Sequence, residues 1–308
     1  NQAARVLLGL KHRRDRGQRI DNLLRHPDFV DYLRNPAGRL VVEIPSPGGG
    51  DSWLSCRLIP YGPEQSLLMI RDVSQRVQVE KMRRDFVANA SHELRTPLTV
   101  IMGYLDGLAG DAEVPEAWRQ PVLVMQEQAL RMQTLVEDLL KLSRLESGQP
   151  VPKDRVVNVA ALIDTARIEG LALPDRAKGI EVRLESRANL LGDESELQSV
   201  VSNLVANAVR YTPPDGDIRI RWTVDDEGGH LAVQDTGIGI AEEDIPRVTE
   251  RFYRADGGRA RQRGGTGLGL SIVKYALRRH DADLEIRSRL GQGSTFVCHF
   301  PPDRLDLS

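Results

Sequence analysis

The sequence predicts an α+β protein with more than one domain, and three observations support that prediction. The chain has 308 residues, which corresponds to two or three domains of the usual ~100–150 residues. Mixed helix and strand patterns fill residues 1–74, two long helical patterns occupy 75–148, and mixed patterns return in 156–308. Residues 149–155, which contain two prolines, are expected to form a linker.

The composition excludes several classes of protein. Hydrophobic residues make up 40% and charged residues 28%, which is typical of a globular chain. Lys+Arg number 42 against 44 Asp+Glu, so the net charge of −2 gives no reason to expect binding to nucleic acid or anionic lipid. Cys56 and Cys298 lie far apart with no Cys-x-x-Cys or paired histidines beside them, so we expect a reducing cytoplasm and neither a disulfide scaffold nor a zinc site there. The sequence has no apolar run of about 18 residues.

Residues 1–74 are expected to form a small module of short helices and strands. Its three helical stretches and three strand candidates are residues 3–10, 20–25, 28–33, 40–44, 53–60 and 67–70. A breaker-rich segment of prolines and glycines, residues 45–51, separates the first two strand candidates. The last strand candidate leads directly into a long helix.

Two long helices, residues 74–110 and 116–146, carry apolar residues at heptad spacing. The spaced residues are Val87, Leu94, Leu98, Ile101, Leu105 and Leu108 in the first helix, and Met125, Met132, Leu135, Leu139 and Leu142 in the second. Two antiparallel helices cannot cover two such faces by themselves. The pattern therefore predicts a four-helix bundle formed by a dimer.

Residues 156–302 mix strand and helix patterns. The alternation of Ile218, Ile220, Trp222 and Val224 is typical of a half-buried strand. The candidate strands are residues 218–224, 230–235, 284–288 and 295–300, and the candidate helices are residues 159–172, 194–211 and 268–280.

The segment around His92 in the first long helix suggests a nucleophile. His92 falls off the apolar seam and is expected to face water, where a neutral imidazole can attack through a ring nitrogen. Its neighbour Glu93 can accept the other ring N–H. An exposed histidine more often has no catalytic role. Pro97 favours a functional reason, because a proline in mid-helix costs about 3 kcal/mol and is expected to kink the helix beside His92.

A polar stripe on a later helix suggests a phosphate and metal site. Asn203, Asn207 and Arg210 are spaced i, i+4 and i+7 and line one helix face. Amide oxygens suit Mg²⁺, and a guanidinium suits phosphate oxygens. Such stripes are usually only solvated, so this signal is weak when taken alone.

Two glycine-containing segments could contact a nucleotide. Asp235 follows a strand and could accept from an exocyclic amine, while Gly237 and Gly239 let the backbone approach a flat ring; a tight turn is an equally good explanation. Residues 264–270 open a helix with glycines, whose free N–H groups can bind a polyphosphate. The segment is not a Walker loop, because the Lys-Ser/Thr ending is missing.

Residues 250–263 are expected to form a basic lid over phosphates, although a solvated loop also explains the outer arginines. The arginines are Arg251, Arg254, Arg259, Arg261 and Arg263. Residues 291–296 predict a hairpin turn whose glycines allow close packing beneath a purine.

The order of these motifs resembles the transmitter core of two-component sensor histidine kinases, over residues 75–302. Shorter segments are similar to the phosphate-regulon sensors of that family, namely residues 23–29, 57–61 and 82–86. The resemblance implies a truncated PAS-like module without its first strands in residues 1–74. It also implies a dimeric helical hairpin that carries the phospho-acceptor (DHp/HisKA) in 75–148 and a Bergerat-type α/β sandwich ATP domain (HATPase_c/GHKL) in 156–308.

The resemblance implies ATP and Mg²⁺ as cofactors and gives roles to residues at matching positions. His92 would be the phospho-acceptor, Glu93 its base, and Thr96 the residue that orients water in a phosphatase reaction. Asn207, with Asn203, would bind Mg²⁺. The positions that match nucleotide contacts are Asn203, Asn207, Arg210, Tyr211, Asp235, Gly237, Gly239, Arg254, Gly265, Gly267, Leu268, Gly269 and Thr295.

The resemblance also implies a homodimer through the hairpin and a response regulator of the phosphate-regulon type as the partner. The family's upstream transmembrane segment has no counterpart here, so we expect a cytoplasmic piece of a longer protein of the bacterial inner membrane. Two alternatives stay open: an ATPase or chaperone-like machine with the Bergerat fold, and an inactive dimeric scaffold. Only in a kinase would His92→Gln abolish labelling and spare ATP binding.

Overall fold

The computed structural model describes residues 2–10, 14–15, 17–35, 40–48, 51–62, 65–111, 114–147, 151–173, 179–255 and 265–307, with the backbone only for Arg83, Arg84, Ala88 and His92. The chain divides into two units, residues 1–86 and 87–308. No helix among the described residues is both long and apolar enough to span a bilayer.

The first unit contains three short helices and a three-stranded antiparallel sheet in the order β1-β2-β3. The elements are α1 (Gln2–Leu8), α2 (Ile20–Leu23), α3 (Pro27–Arg34), β1 (Val42–Pro45), β2 (Trp53–Pro60) and β3 (Ser66–Asp72). The helices and strands expected in this block are confirmed, with ends that shift by at most two residues. The core of the unit is formed by Leu8, Leu24, Phe29, Tyr32, Val42, Ile44, Leu54 and Cys56.

Helix α4 (Ser74–Gly110) begins just after β3, and polar contacts hold its first turn. The hydroxyl of Ser74 accepts the backbone N–H of Trp53 at 2.8 Å. The carboxylate of Asp72 accepts the backbone N–H of Ser74 at 2.9 Å. The start of the helix is therefore tied to two strands of the first unit.

Helices α4 and α5 (Glu116–Ser147) form the expected hairpin, and their bounds agree with the prediction to within one residue. Leu105 of α4 packs against Val122 and Ala129 of α5. Helix α4 runs without a break through Pro97, and a kink at this residue stays a prediction.

Within one chain, the apolar seam expected along the hairpin is only partly buried. Leu98 and Leu105 are buried as expected, but the helix-facing residues of α5 are Val122, Ala129 and Val136 rather than Met125 and Met132. Along most of the hairpin the described residues of each helix are covered mainly on the side that faces the other helix. A second apolar stripe lies exposed on α4, and α5 exposes further apolar residues on several sides; the residues are Leu94, Val100, Ile101, Tyr104 and Leu108 in α4, and Leu123, Val124, Met125, Leu130 and Met132 in α5.

The rest of the second unit is a five-stranded sheet with three helices on one face and a small second sheet. The larger sheet has the order β5-β7-β8-β10-β9, in which β5 and β7 are parallel and the other pairs antiparallel. The elements are β4 (Val156–Val157), α6 (Val159–Ala172), β5 (Ile180–Leu184), β6 (Asn189–Leu191), α7 (Glu194–Tyr211), β7 (Ile218–Asp225), β8 (Gly228–Asp235), α8 (Gly269–Arg279), β9 (Asp283–Arg289), β10 (Gly293–Phe300) and β11 (Leu305–Asp306).

The core of this part lies between the helices and the inner face of the sheet. Ile220 and Trp222 of β7 are buried there, whereas Arg221 between them is exposed on the outer face. Leu142 and Leu145 of α5 belong to the same core, so the end of the hairpin packs against the C-terminal domain. The candidate helices and strands are confirmed, but the sequence reasoning missed the short strands β4, β5, β6 and β11.

The described part of the expected linker, residues 151–155, is bound to the C-terminal domain. The backbone N–H of Val151 donates to the carbonyl of Arg279 at 2.9 Å, and Lys153 forms an ion pair with Asp303. Pro152 stiffens the segment between these contacts. These residues are therefore part of the domain surface, while residues 149–150 lie outside the described part of the chain.

Both cysteines are buried as free thiols in separate cores. Cys56 lies on β2 and Cys298 on β10, and neither side chain is exposed. Burial raises the pKa of the Cys56 thiol to about 11 and that of the Cys298 thiol to about 12. At neutral pH both are protonated, which makes them poor nucleophiles.

Candidate functional site

Asp235, at the end of β8, forms the floor of the candidate site. Its carboxylate is buried, and its Oδ1 accepts the backbone N–H groups of Gly237 at 2.8 Å and Ser294 at 3.3 Å. Burial raises the pKa of this carboxyl, although the two hydrogen bonds oppose that effect. Both bonds use Oδ1, which leaves Oδ2 as an acceptor for a ligand N–H.

The loop after Asp235 needs glycine for two different reasons. A Cβ on Gly237 would lie 2.4 Å from the carbonyl oxygen of Tyr211, which is closer than any real contact. Gly239 has a φ of +69°, and a Cβ there would lie 2.1 Å from the carbonyl oxygen of Arg289. The loop is therefore pressed between the end of α7 and the β9–β10 hairpin, where it presents backbone rather than side chains.

The polar stripe of α7 faces the start of α8. Asn203 donates its amide N–H to the carbonyl of Ser199 at 2.7 Å, which fixes the orientation of the side chain. Its Oδ1 lies 2.6 Å from the position that a Cβ on Gly269 would take, so the amide oxygen points at the first residue of α8. Asn207, one turn further along α7, is half-buried.

Arginines surround the glycine-rich segment before α8. Arg254 donates from Nη1 to the carbonyl of Gly265 at 2.8 Å, and the Nη1 of Arg210 lies 3.2 Å from the position of a Cβ on Gly265. Burial lowers the pKa of the Arg210 guanidinium, which nevertheless stays charged at neutral pH. Two cations at a glycine-rich backbone segment form a site for phosphate oxygens.

The glycine-rich segment is also bonded to the first residues of the expected lid. Phe252, with a φ of +60°, donates its backbone N–H to the carbonyl of Gly267 at 2.9 Å. Gly267 has a φ of +72°, and Leu268, the residue before α8, is fully buried. Gly264, Arg259, Arg261 and Arg263 lie outside the described residues, so the lid stays a prediction.

One expected nucleotide residue is placed differently. Thr295 lies on β10 opposite Gln234, whereas Ser294 lies opposite Asp235 and contacts it. Successive strand residues point to opposite faces, so the side chain of Thr295 lies on the outer face of the sheet. Ser294 was not predicted from the sequence, because the neighbouring glycines indicate a turn and give no sign of its contact with Asp235 on another strand.

The segment around His92 lies in the middle of α4. The side chains of Glu93 and Thr96 are exposed, whereas the side chain of His92 lies outside the described part of the chain, so its exposure to water stays a prediction. Among the described residues, no hydrogen bond or ion pair joins Glu93 or Thr96 to the C-terminal domain.

Comparisons with known proteins agree with this arrangement. Residues 82–148 match the family model "His Kinase A (phospho-acceptor) domain", and residues 192–304 match "Histidine kinase-, DNA gyrase B-, and HSP90-like ATPase". The chain is 50% identical, over 98% of its length and 69% of the relative, to the phosphate regulon sensor protein PhoR of Pseudomonas aeruginosa. The chain belongs to the sensor histidine kinase family.

Two further similarities extend the comparison. The kinase is 36% identical to the phosphate regulon sensor protein PhoR of Haemophilus influenzae, over 92% of this chain and 66% of that one. It resembles the solved structure of full-length ShkA in complex with AMPPNP with a TM-score of 0.58 and 27% identity, over 73% of this chain and 46% of that one. The kinase thus spans about two thirds of the length of the two sensor proteins.

Two polar contacts join the nucleotide loops of the kinase to α5, and together they are called the latch. Thr266, in the glycine-rich segment, donates its hydroxyl to Asp138 at 2.7 Å, and Arg251 forms an ion pair with Glu146. Burial raises the pKa of Asp138, and this effect outweighs its hydrogen bond and the nearby cations, among them Arg210. The carboxylate of Asp138 therefore occupies the positively charged surroundings that suit a phosphate.

Replacing Asp138 with asparagine should tighten ATP binding by the kinase. The neutral side chain removes a negative charge beside Arg210 and Thr266, so phosphate oxygens no longer compete with a carboxylate for these groups. At about 1.4 kcal/mol per factor of ten, the affinity should rise roughly threefold to tenfold in titration calorimetry. Glu137→Gln is the matched control, because it removes the same charge from an exposed position on the same turn. An unchanged or weaker affinity in the Asp138 variant would show that this carboxylate does not oppose nucleotide.

Proposed function

We propose that the kinase transfers the γ-phosphoryl group of ATP to His92 and then to an aspartate of a response regulator that controls phosphate-responsive genes. The observation that carries the proposal is the buried carboxylate of Asp235, whose Oδ2 is left to accept the exocyclic amine of adenine. The 50% identity to a phosphate regulon sensor protein supports phosphate as the regulated nutrient.

The nucleotide is bound by an anionic acceptor at its base and by cationic donors at its phosphates. Asp235 accepts from the adenine amine, and the backbone of Gly237 and Gly239 lies against the ring. Arg210 and Arg254, which flank Gly265, neutralise phosphate oxygens. The free N–H groups at the start of α8 add donors to the same oxygens.

The donor set of α7 fits Mg²⁺. Asn207 and Asn203 offer amide oxygens, which are hard ligands, and an ion held by so few protein groups keeps its waters and shares phosphate oxygens. When bound, Mg²⁺ neutralises charge on the phosphates.

The transfer step uses His92 and Glu93. A neutral ring nitrogen of His92 attacks the γ-phosphorus, a nitrogen–phosphorus bond forms, and the bond to the bridging oxygen of ADP breaks. Glu93 accepts the proton from the other ring nitrogen. The phosphoryl group then passes to the carboxylate oxygen of the regulator aspartate, which leaves His92 free for another cycle.

In this proposal the docked C-terminal domain moves for the transfer step, because the latch ties its glycine-rich segment and Arg251 to Asp138 and Glu146 of α5 rather than to Glu93 of α4. Thr96, which is exposed on the same helix, would orient water for removal of phosphate from the regulator. Kinase and phosphatase reactions then share one surface of the hairpin and differ in the position of the ATP domain.

A homodimer explains the second apolar stripe of the hairpin. Many large apolar residues exposed along one helix pair mark an interface with another protein. A second copy of the hairpin offers the same stripe, and the two together form a four-helix bundle.

Incubation with radiolabelled ATP and Mg²⁺ tests the proposal. We expect label that survives alkali and is lost in acid, as a phosphorylated histidine requires. His92→Gln should lose the label and keep its ATP affinity in titration calorimetry, while His26→Gln, a control in the first unit, should retain both.

The remaining outcomes separate the alternatives. Labelling that persists in His92→Gln would move the acceptor to another residue, and ATP turnover without label would favour an ATPase. A protein that neither binds ATP nor becomes labelled would be a scaffold, and the proposal would fail.

A further inference from the structure

Four side chains form a row across the outer face of the large sheet, and they are called the histidine row. Asp225 lies at the end of β7, His230 on β8, His299 on β10 and Glu285 on β9. These four strands are neighbours in the sheet, and His230 lies directly opposite His299. The row is separate from the nucleotide site, because His230 precedes Asp235 by five residues of strand, or about 17 Å.

The distances in the row determine which ring nitrogens carry hydrogen. The Nε2 of His230 lies 2.9 Å from Asp225 Oδ1, and the Nε2 of His299 lies 3.1 Å from Glu285 Oε2. A carboxylate accepts but does not donate, so both Nε2 atoms carry hydrogen. The carboxylates of Asp225 and Glu285 thus accept hydrogen bonds at the two ends of the row.

The other two ring nitrogens then face each other, and both would present lone pairs unless a proton or a metal ion lies between them. The Nδ1 of His230 and the Nδ1 of His299 are 2.8 Å apart. Two lone pairs at this distance repel each other unless a cation lies between or beside them. The carboxylates at both ends of the row supply the negative charge that such a cation needs.

We propose that His230 and His299 bind a divalent transition-metal ion through their Nδ1 atoms, with water in the remaining positions. A metal-bound histidine typically donates its second ring N–H to a carboxylate, and here both histidines do so. The row thus holds two ligands and the outer groups that orient each of them.

The distance between the ligand atoms selects the class of metal. Two nitrogens at about 2.0–2.1 Å from a metal are about 2.9 Å apart at a right angle and about 3.4 Å apart at a tetrahedral angle. The observed 2.8 Å fits the right angle. Right-angled nitrogen sites favour Cu²⁺ and Ni²⁺ in square-planar or octahedral spheres over tetrahedral Zn²⁺.

Such an ion would join β8 to β10 without touching the nucleotide site. Both histidines are partly exposed, so the ion can reach the site from solvent. Because the ion binds only the folded sheet, it should stabilise the C-terminal domain in proportion to its concentration.

Calorimetric titration of the untagged chain with NiCl₂ tests the proposal. We expect one Ni²⁺ per chain and a rise in thermal midpoint with added Ni²⁺. The double variant His230→Ala/His299→Ala should lose both effects, while His26→Ala, a control outside the row, should keep them. Glu285→Gln and Asp225→Asn should weaken Ni²⁺ binding by about 10–100-fold, because each removes a group that orients a ligand.

Folding is checked by ATP affinity, which the double variant should retain. If that variant fails to fold, the two carboxylate variants test the proposal through their Ni²⁺ affinity, since they keep both histidine rings. No binding by the wild-type chain, or binding that survives in the double or carboxylate variants, would overturn the proposal. In the first case a shared proton, rather than a metal, lies between the rings.

Discussion

Asp235→Asn is expected to weaken ATP binding about 100-fold and to leave the fold intact. A hydrogen bond to a charged group is worth about 1.5–3 kcal/mol, and the variant also turns an amide N–H donor toward the donor of adenine. The Oδ1 of asparagine can still accept from Gly237 and Ser294, so the loop keeps its geometry. Calorimetric titration with ATP, together with a thermal melt, measures the two effects separately.

The control for this prediction is Asp226→Asn, which removes the same charge from an exposed position in the β7–β8 turn. Its ATP affinity should match the wild type. A second readout is the preference for ATP over GTP, since guanine has a carbonyl where adenine has its amine. The Asp235 variant should lose most of that preference. An Asp235 variant that binds ATP normally would mean that this carboxylate does not contact the base.

Gly239→Ala is expected to lower the free energy of unfolding of the C-terminal domain by about 3 kcal/mol or more. A left-handed backbone costs a non-glycine residue about 1–2 kcal/mol. The added Cβ would also lie 2.1 Å from the carbonyl of Arg289, and such overpacking typically costs about 1–3 kcal/mol more. The thermal midpoint should fall by roughly 10 °C, and ATP affinity should fall with it because the loop shifts.

Gly291→Ala separates the cost of the left-handed backbone from the cost of the steric overlap. Gly291 has a similar φ of +76°, but a Cβ there meets nothing within 4 Å. It should therefore show the backbone effect alone, about 1–2 kcal/mol, with ATP affinity unchanged. If Gly239→Ala and Gly291→Ala lowered the free energy of unfolding equally, the loop would be able to move away from Arg289 at little cost in free energy.

The helices and strands of the kinase could be predicted where a hydrophobic periodicity extends over many residues. Helices α6 and α7 were placed to the residue at both ends, because caps and apolar spacing agree there. Asp235, Asn207 and the glycine segments could be predicted as site residues because their chemistry and order are local features. The strands β4, β6 and β11 have two or three residues each, which is too short to show a period.

Contacts between distant residues could not be predicted. Thr266 and Asp138 are 128 residues apart, and His230 and His299 are 69 apart, so neither pair has a local signal. The prolines of residues 149–155 predict a linker but do not show which surface the segment binds, and the hydrogen bond between Val151 and Arg279 is a contact of this kind.

Because both natural thiols are buried, the kinase is suited to site-specific fluorescent labelling. Neither Cys56 nor Cys298 is accessible, and their high pKa values keep them unreactive toward maleimide at neutral pH. A fluorophore can therefore be attached to an introduced cysteine while both natural ones stay in place. A dye pair on Glu137 and Glu242, both exposed and each replaced by cysteine, would report in real time when the ATP domain leaves α5.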